Sequence, residues 1–134
     1  MFFVVKRATL LIPSGPLSDP DRKHLFICLT DSIGTNKETL IVSVSTFHQG
    51  LTSDISCQLY AGDHSFIAHP SIVNYMDAQI VAALKLMSGV AQGKLIAKEP
   101  LDTAVFARVC KGLGDSRFTS PKILSFYQVA TGYE

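Results

Sequence analysis

The 134-residue chain has no tryptophan, only three cysteines and a low share of charged residues, 17%. Cys28, Cys57 and Cys110 are odd in number and far apart, so they spell neither a disulfide framework nor a zinc motif. Two of them sit in apolar segments and are expected to be buried structural thiols. No apolar run reaches the ~18 residues that a bilayer crossing needs, so no membrane association is expected. The opening Met1-Phe2-Phe3-Val4-Val5-Lys6-Arg7 puts charge after the apolar stretch, the reverse order of a secretory signal, and a cytoplasmic location is the expectation. Internal repeats, linkers and low-complexity tracts are also missing.

What is present is apolar. At 47% hydrophobic residues the composition is that of a folded chain. Residues 1–134 are expected to form a single domain, which at this length buries roughly 65–70% of its unfolded surface. Formal net charge is +1, too little for strong nonspecific attraction to nucleic acid. The charge is unevenly spread. Residues 85–122 carry seven Lys or Arg against Glu99, Asp102 and Asp115, whereas residues 1–84 carry five basic and seven acidic residues.

Ala8-Thr9-Leu10-Leu11-Ile12 reads as a strand, stopped by Pro13-Ser14-Gly15-Pro16. Residues 24–30 and 39–46 are strands rich in β-branched and apolar side chains. In the second of these both faces are semi-apolar, as in a small barrel. Residues 55–60 form a fourth strand before the Ala61-Gly62-Asp63-His64 turn. The stretch 71–87 is open between strand, favoured by its first half, and helix, favoured by its second. Gly93-Lys94-Leu95-Ile96-Ala97 gives one more short strand.

A helix from Pro100 to Lys111 follows, its positive end at Asp102 and its exit at Gly112. Leu101, Val105, Val109 and Cys110, with Phe106 and Leu113, make its apolar stripe. Ser120-Pro121 then reads as a breaker, and residues 123–127 as an edge strand.

The densest polar segment is Gly62-Asp63-His64-Ser65-Phe66-Ile67-Ala68-His69-Pro70-Ser71. His64 and His69 there can act as an acid/base pair. Equally, Asp63 and His64 can hydrogen-bond their own loop and fix its shape. A metal site of Asp63, His64 and His69 is disfavoured, because the histidines lack i, i+4 spacing and Pro70 blocks a continuous helix. Neither metal nor cofactor is therefore expected. Gly112-Leu113-Gly114-Asp115-Ser116 follows a helix and lacks the Gly-Lys-Ser/Thr ending, so it is no phosphate loop.

The run Lys23-His24-Leu25-Phe26-Ile27-Cys28-Leu29-Thr30-Asp31 resembles the Arg-Pro-then-apolar second strand of the MazF/PemK-like toxins. Leu40-Ile41-Val42-Ser43-Val44-Ser45-Thr46 is similar to their next strand, which ends in Thr. Ser71-Ile72-Val73, Gly93-Lys94-Leu95 and the helix from Pro100 fall where that family has its later elements. The resemblance spans residues 8–113. It implies a mainly β fold with α, a small SH3-like barrel of about five to seven short strands with a C-terminal amphipathic helix.

It further implies a homodimeric toxin of a toxin–antitoxin system. Such a toxin is a metal-independent endoribonuclease acting on single-stranded RNA and is neutralised by a cognate antitoxin protein. The family's catalytic Arg and Thr map to Lys23 and Thr46, with Arg22 and Ser45 beside them. With His64 and His69 these complete a catalytic set. Arg22, Ser45, His48 and Phe66 are candidates for RNA contact, Phe66 by base stacking. Two departures stand out: Lys23 offers no planar guanidinium fork, and His24 replaces the family's Pro. They leave a second expectation, a noncatalytic partner-binding or adaptor module on the same barrel.

Overall fold

The computed structural model describes residues 1–47 and 54–132. In chain order the elements are β1 (Thr9–Pro13), β2 (Lys23–Cys28), β3 (Glu38–Thr46), β4 (Gln58–Leu59), β5 (Ser71–Ala82), α1 (Ala83–Ala91), β6 (Ile96–Lys98), α2 (Thr103–Asp115) and α3 (Pro121–Ala130). The six strands form one antiparallel sheet, order β4-β5-β3-β2-β1-β6. The sheet curls into a half-barrel with β4 and β6 at its open edges.

The two-faced strands explain the architecture. On β2, Leu25 and Ile27 point to one face and Phe26 and Cys28 to the other, and all four are buried. The first pair joins a core built with Val42, Val44, Val73, Tyr75 and the helices α2 and α3. The second joins a smaller core with Val4, Leu10, Ile41, Ala83 and Leu86 from the N-terminal segment and α1. A period of two with apolar residues at both phases demands cover on both sides, and the helices provide it. Burial pushes the Cys28 thiol up to about 12 and also raises Cys57 and Cys110. Such thiols are poor nucleophiles.

The open question over residues 71–87 resolves as both states in succession. β5 runs to Ala82 and α1 starts at Ala83. Along β5 the pairing slips: Ile41 faces Gln79 but Ser43 faces Asn74, leaving residues 75–78 opposite Val42 alone. A bulge of this kind bends the strand and strengthens local twist, which curls the sheet. It also turns Tyr75 fully into the core.

The expected apolar stripe packs on the sheet: Leu101, just ahead of α2, and Val105, Val109 and Leu113 on it are all buried. Asp102 caps the helix, its carboxylate accepting from the backbone N–H of Ala104 (3.0 Å) and Val105 (3.3 Å). Two expectations are corrected here. The helix starts at Thr103 rather than Pro100, because Asp102 is its cap. Gly112 is no exit residue, because α2 continues to Asp115. Instead Gly112 is where the helix touches β5: a Cβ there would overlap the Tyr75 hydroxyl and come 2.9 Å from Cys57 Cβ. That hydroxyl donates to Val109 O at 2.6 Å inside the core. Gly112→Ala, a gain in helix propensity, is therefore expected to cost about 2 kcal/mol net through overpacking, seen as a melting temperature lowered by roughly 5–10 °C.

Residues 123–127 form no edge strand but lie within α3. Ser120, read as part of a breaker, caps that helix by accepting from Ile123 N–H at 3.3 Å, and Pro121 occupies its first turn. Ser-Pro ends one element and starts a helix with the same chemistry. The described residues thus hold three helices, α3 being the one not expected.

Candidate functional site

β2 and β3 pair with Leu25 opposite Val44 and Phe26 opposite Ser43. Continuing that register sets Lys23 opposite Thr46, at the same end of the sheet. Thr46 in turn pairs with Ser71 at the start of β5. A cleft of about 380 Å³ opens at this corner. Six of the candidate residues line it: Arg22, Lys23, Ser45, Thr46, Phe66 and His69. Ser71 lines it as well, His24 borders it with its ring on the opposite sheet face beside Phe26, and none of the described wall residues is acidic.

The far wall comes from the loop between β4 and β5, which is pinned by its own polar side chains. Gly62 takes φ +101°, a left-handed conformation that suits glycine. The Asp63 carboxylate accepts Tyr60 N–H at 2.8 Å and the Arg108 guanidinium at 3.2 Å, while Arg108 also donates to Gln58 O at 2.9 Å. His64 is buried. Its Nδ1 accepts Phe66 N–H at 3.1 Å, which assigns the ring proton to Nε2. Nε2 lies 3.0 Å from Glu99 O and 3.1 Å from Thr9 Oγ1. Both ring nitrogens are consumed.

His64 is accordingly not a cleft residue. Its placement corrects the acid/base pairing of His64 with His69: five residues apart in one loop, the first points into the protein and the second into the cleft. Nor do Asp63, His64 and His69 converge. Among the described residues no three His, Cys, Asp or Glu side chains are grouped to hold a metal ion. His48 lies outside the described residues.

With His64 and Ile67 buried beneath it, the loop presents Phe66, Ala68 and His69 outward. Ser71 Oγ donates to His69 O at 2.7 Å, and Phe47 N–H donates to Pro70 O at 2.8 Å, fastening the loop's return. Glu99, directly after β6, closes it, its carboxylate accepting Ser65 N–H at 3.1 Å. Hydrogen bonds from Ser65, its hydroxyl first, hold the Glu99 carboxyl down to about 2, against an ordinary 4.5.

A carboxyl lowered in the folded state stabilises fully above its unfolded value, and that contribution fades as pH falls toward the folded one. The window here runs from about pH 4.5 down to about 2. On acidification through it, amides of residues 63–69 are expected to lose hydrogen-exchange protection before the core does. Glu99→Gln should abolish that early step; an unchanged profile would show that the carboxylate anchors nothing.

His24, beside Lys23 on β2, takes the opposite sheet face with Ile12 and Phe26 and does not point into the cleft. Its Nδ1 is 2.7 Å from Ser14 Oγ. Since Ser14 Oγ also donates to Ile12 O at 3.1 Å, Nδ1–H can donate to Ser14 and leave Nε2 as an acceptor. The cleft residue missing from the candidates is Ser71, the register partner of Thr46. Ser45 is held by Asn74, whose Nδ2 donates to it at 2.6 Å and to Ser43 Oγ at 3.0 Å. Lys23 makes no ion pair among the described residues, whereas exposed Arg22 meets Asp19 at 3.3 Å.

No family model matches the chain, and no curated protein matches it.

Proposed function

We propose that the chain is a metal-independent endoribonuclease for single-stranded RNA, a divergent MazF/PemK-like toxin whose half-barrel is of the SH3-like kind. The observation that carries this reading is the convergence of two cations, the Thr46 and Ser71 hydroxyls, the His69 imidazole and the Phe66 ring in one cleft with no acidic residue among its described walls. Transesterification of RNA needs a base for the 2′-hydroxyl, an acid for the departing 5′-oxygen and positive charge on the phosphorane. His69 takes the proton-transfer role, with Lys23 and Arg22 on the phosphate. Thr46 positions a phosphate oxygen, and Phe66, 42% exposed, stacks on a base. The 2′-oxygen attacks phosphorus, the bond to the 5′-oxygen breaks, and the products are a 2′,3′-cyclic phosphate and a 5′-hydroxyl. A homodimer, an antitoxin partner and a cytoplasmic setting belong to the same reading.

One observation favours a second reading, a noncatalytic RNA- or partner-binding module: an ammonium stands where the family uses guanidinium, and it holds phosphate as a point charge only. The test is incubation of the purified chain with 5′-labelled single-stranded RNA in excess EDTA, alongside induced expression with growth and total RNA followed over time. Cleavage with cyclic-phosphate ends is expected. Activity lost in EDTA and restored by a divalent ion would overturn the metal-independent mechanism. RNA bound but uncut would leave the module reading standing.

A further inference from the structure

A larger concavity lies elsewhere. A groove of about 860 Å³ runs between the N-terminal segment, α1 and the β6 region, sharing no residue with the cleft. Phe2, Phe3, Val5, Leu84, Met87 and Val90 give it apolar walls. Several of these stand in water: Phe3 is 66% exposed and Leu84 71%. Leu86 of α1 is committed to the core, so Leu84 and Met87 belong to a second apolar edge of that helix. Three charged side chains line the groove, Lys6, Arg7 and Lys98; all are basic.

Arg7 is held in place by its backbone. It takes φ +77°, a strained region for a residue with a Cβ. Its N–H donates to Cys28 O (2.9 Å), its carbonyl accepts Leu101 N–H (2.8 Å), and its Nε donates to Leu101 O (2.8 Å). The two terminal guanidinium nitrogens make no hydrogen bond among the described residues. A fork fixed at Nε with both ends open fits a carboxylate.

We propose that this groove docks an acidic amphipathic segment of a partner protein, apolar side chains on the α1 wall and carboxylates on Arg7, Lys6 and Lys98. Three cations spread along an open trough suit a chain with several carboxylates. A single small amphiphile would need an enclosed pocket that buries most of its surface. This proposal stands apart from RNA cleavage and is tested without it.

The probe is a fluorescein-labelled helical peptide with Leu on one face and Glu on the other, compared with the same peptide carrying Lys for Glu, by anisotropy with the full chain. The Glu peptide is expected to bind at least about ten-fold tighter than the Lys peptide. Leu84→Glu, at an exposed position that folding does not need, should weaken it about ten-fold or more. Lys98→Glu should do the same, while Lys122→Glu, the same charge change on α3, should not. Equal affinity for the two peptides, no saturable binding below about 1 mM, or indifference to Leu84→Glu would overturn the proposal. A dimer by light scattering that Leu84→Glu dissociates would overturn it in favour of a second copy. Flotation with anionic phosphatidylglycerol vesicles, lost in Leu84→Glu, would overturn it in favour of a lipid surface.

Discussion

Val105→Asp is expected to take the folded protein out of solution. Val105 sits on the buried stripe of α2, between Leu101 and Val109, facing the core of the inner sheet face. A carboxylate there has no cation within the packed cluster and cannot reach water without withdrawing the helix. Burying it unpaired, or protonating it to avoid doing so, costs several kcal/mol, roughly 4 or more. Domains of this size hold a total stability of about 5–15 kcal/mol, so most of the margin disappears. Ala104→Asp, one residue earlier and exposed, is the control and should stay within about 0.5 kcal/mol of wild type. Soluble expression and thermal melting read the outcome. A Val105→Asp protein that melts like wild type would mean that α2 does not pack as described.

The largest effect on turnover is expected at the cleft imidazole. His69→Ala should lower the cleavage rate about 10²–10⁴-fold with melting temperature nearly unchanged, because its ring is exposed and part of no core. His24→Ala, on the opposite sheet face, should leave the rate within a few fold. Lys23→Ala should act mainly on binding, with the slope of log affinity against log salt falling by about 0.7 for one lost phosphate contact. Lys23→Arg, which restores a planar fork, should raise turnover. His64→Ala should behave differently. It removes the hydrogen bonds that tie the loop to Glu99 O and Phe66 N, so about 1–3 kcal/mol of stability goes, and cleavage falls only as the loop loosens. If His64→Ala abolished cleavage at full stability while His69→Ala did nothing, the assignment of roles would be reversed.

Alternation and local chemistry determine much of this protein. Apolar residues at both phases of residues 24–28 and 39–44 require a sheet covered on both faces, whatever covers it. Val105, Phe106, Val109, Cys110 and Leu113 recur at steps of three and four after a capping Asp102, the stripe of a helix rather than the alternation of a strand. The register of two adjacent antiparallel strands brings Lys23 and Thr46 together, a consequence of strand length and turn length alone.

Other features depended on contacts between parts distant in sequence. Ser120-Pro121 serves equally as a stop or a helix start, and only the docking of Ile123 into the core selects the helix. Gly112 reads locally as a cap, yet its lack of a side chain answers Tyr75, thirty-seven residues earlier, turned inward by a bulge that no short-range pattern announces. The division of labour between the two loop histidines was likewise invisible. A histidine's chemistry is set by what its ring nitrogens meet, and His64 meets the backbone of Glu99 across the fold while His69 meets the cleft. Periodicity reports which face a side chain takes within its own element. Which partner waits on that face is decided only when the elements pack.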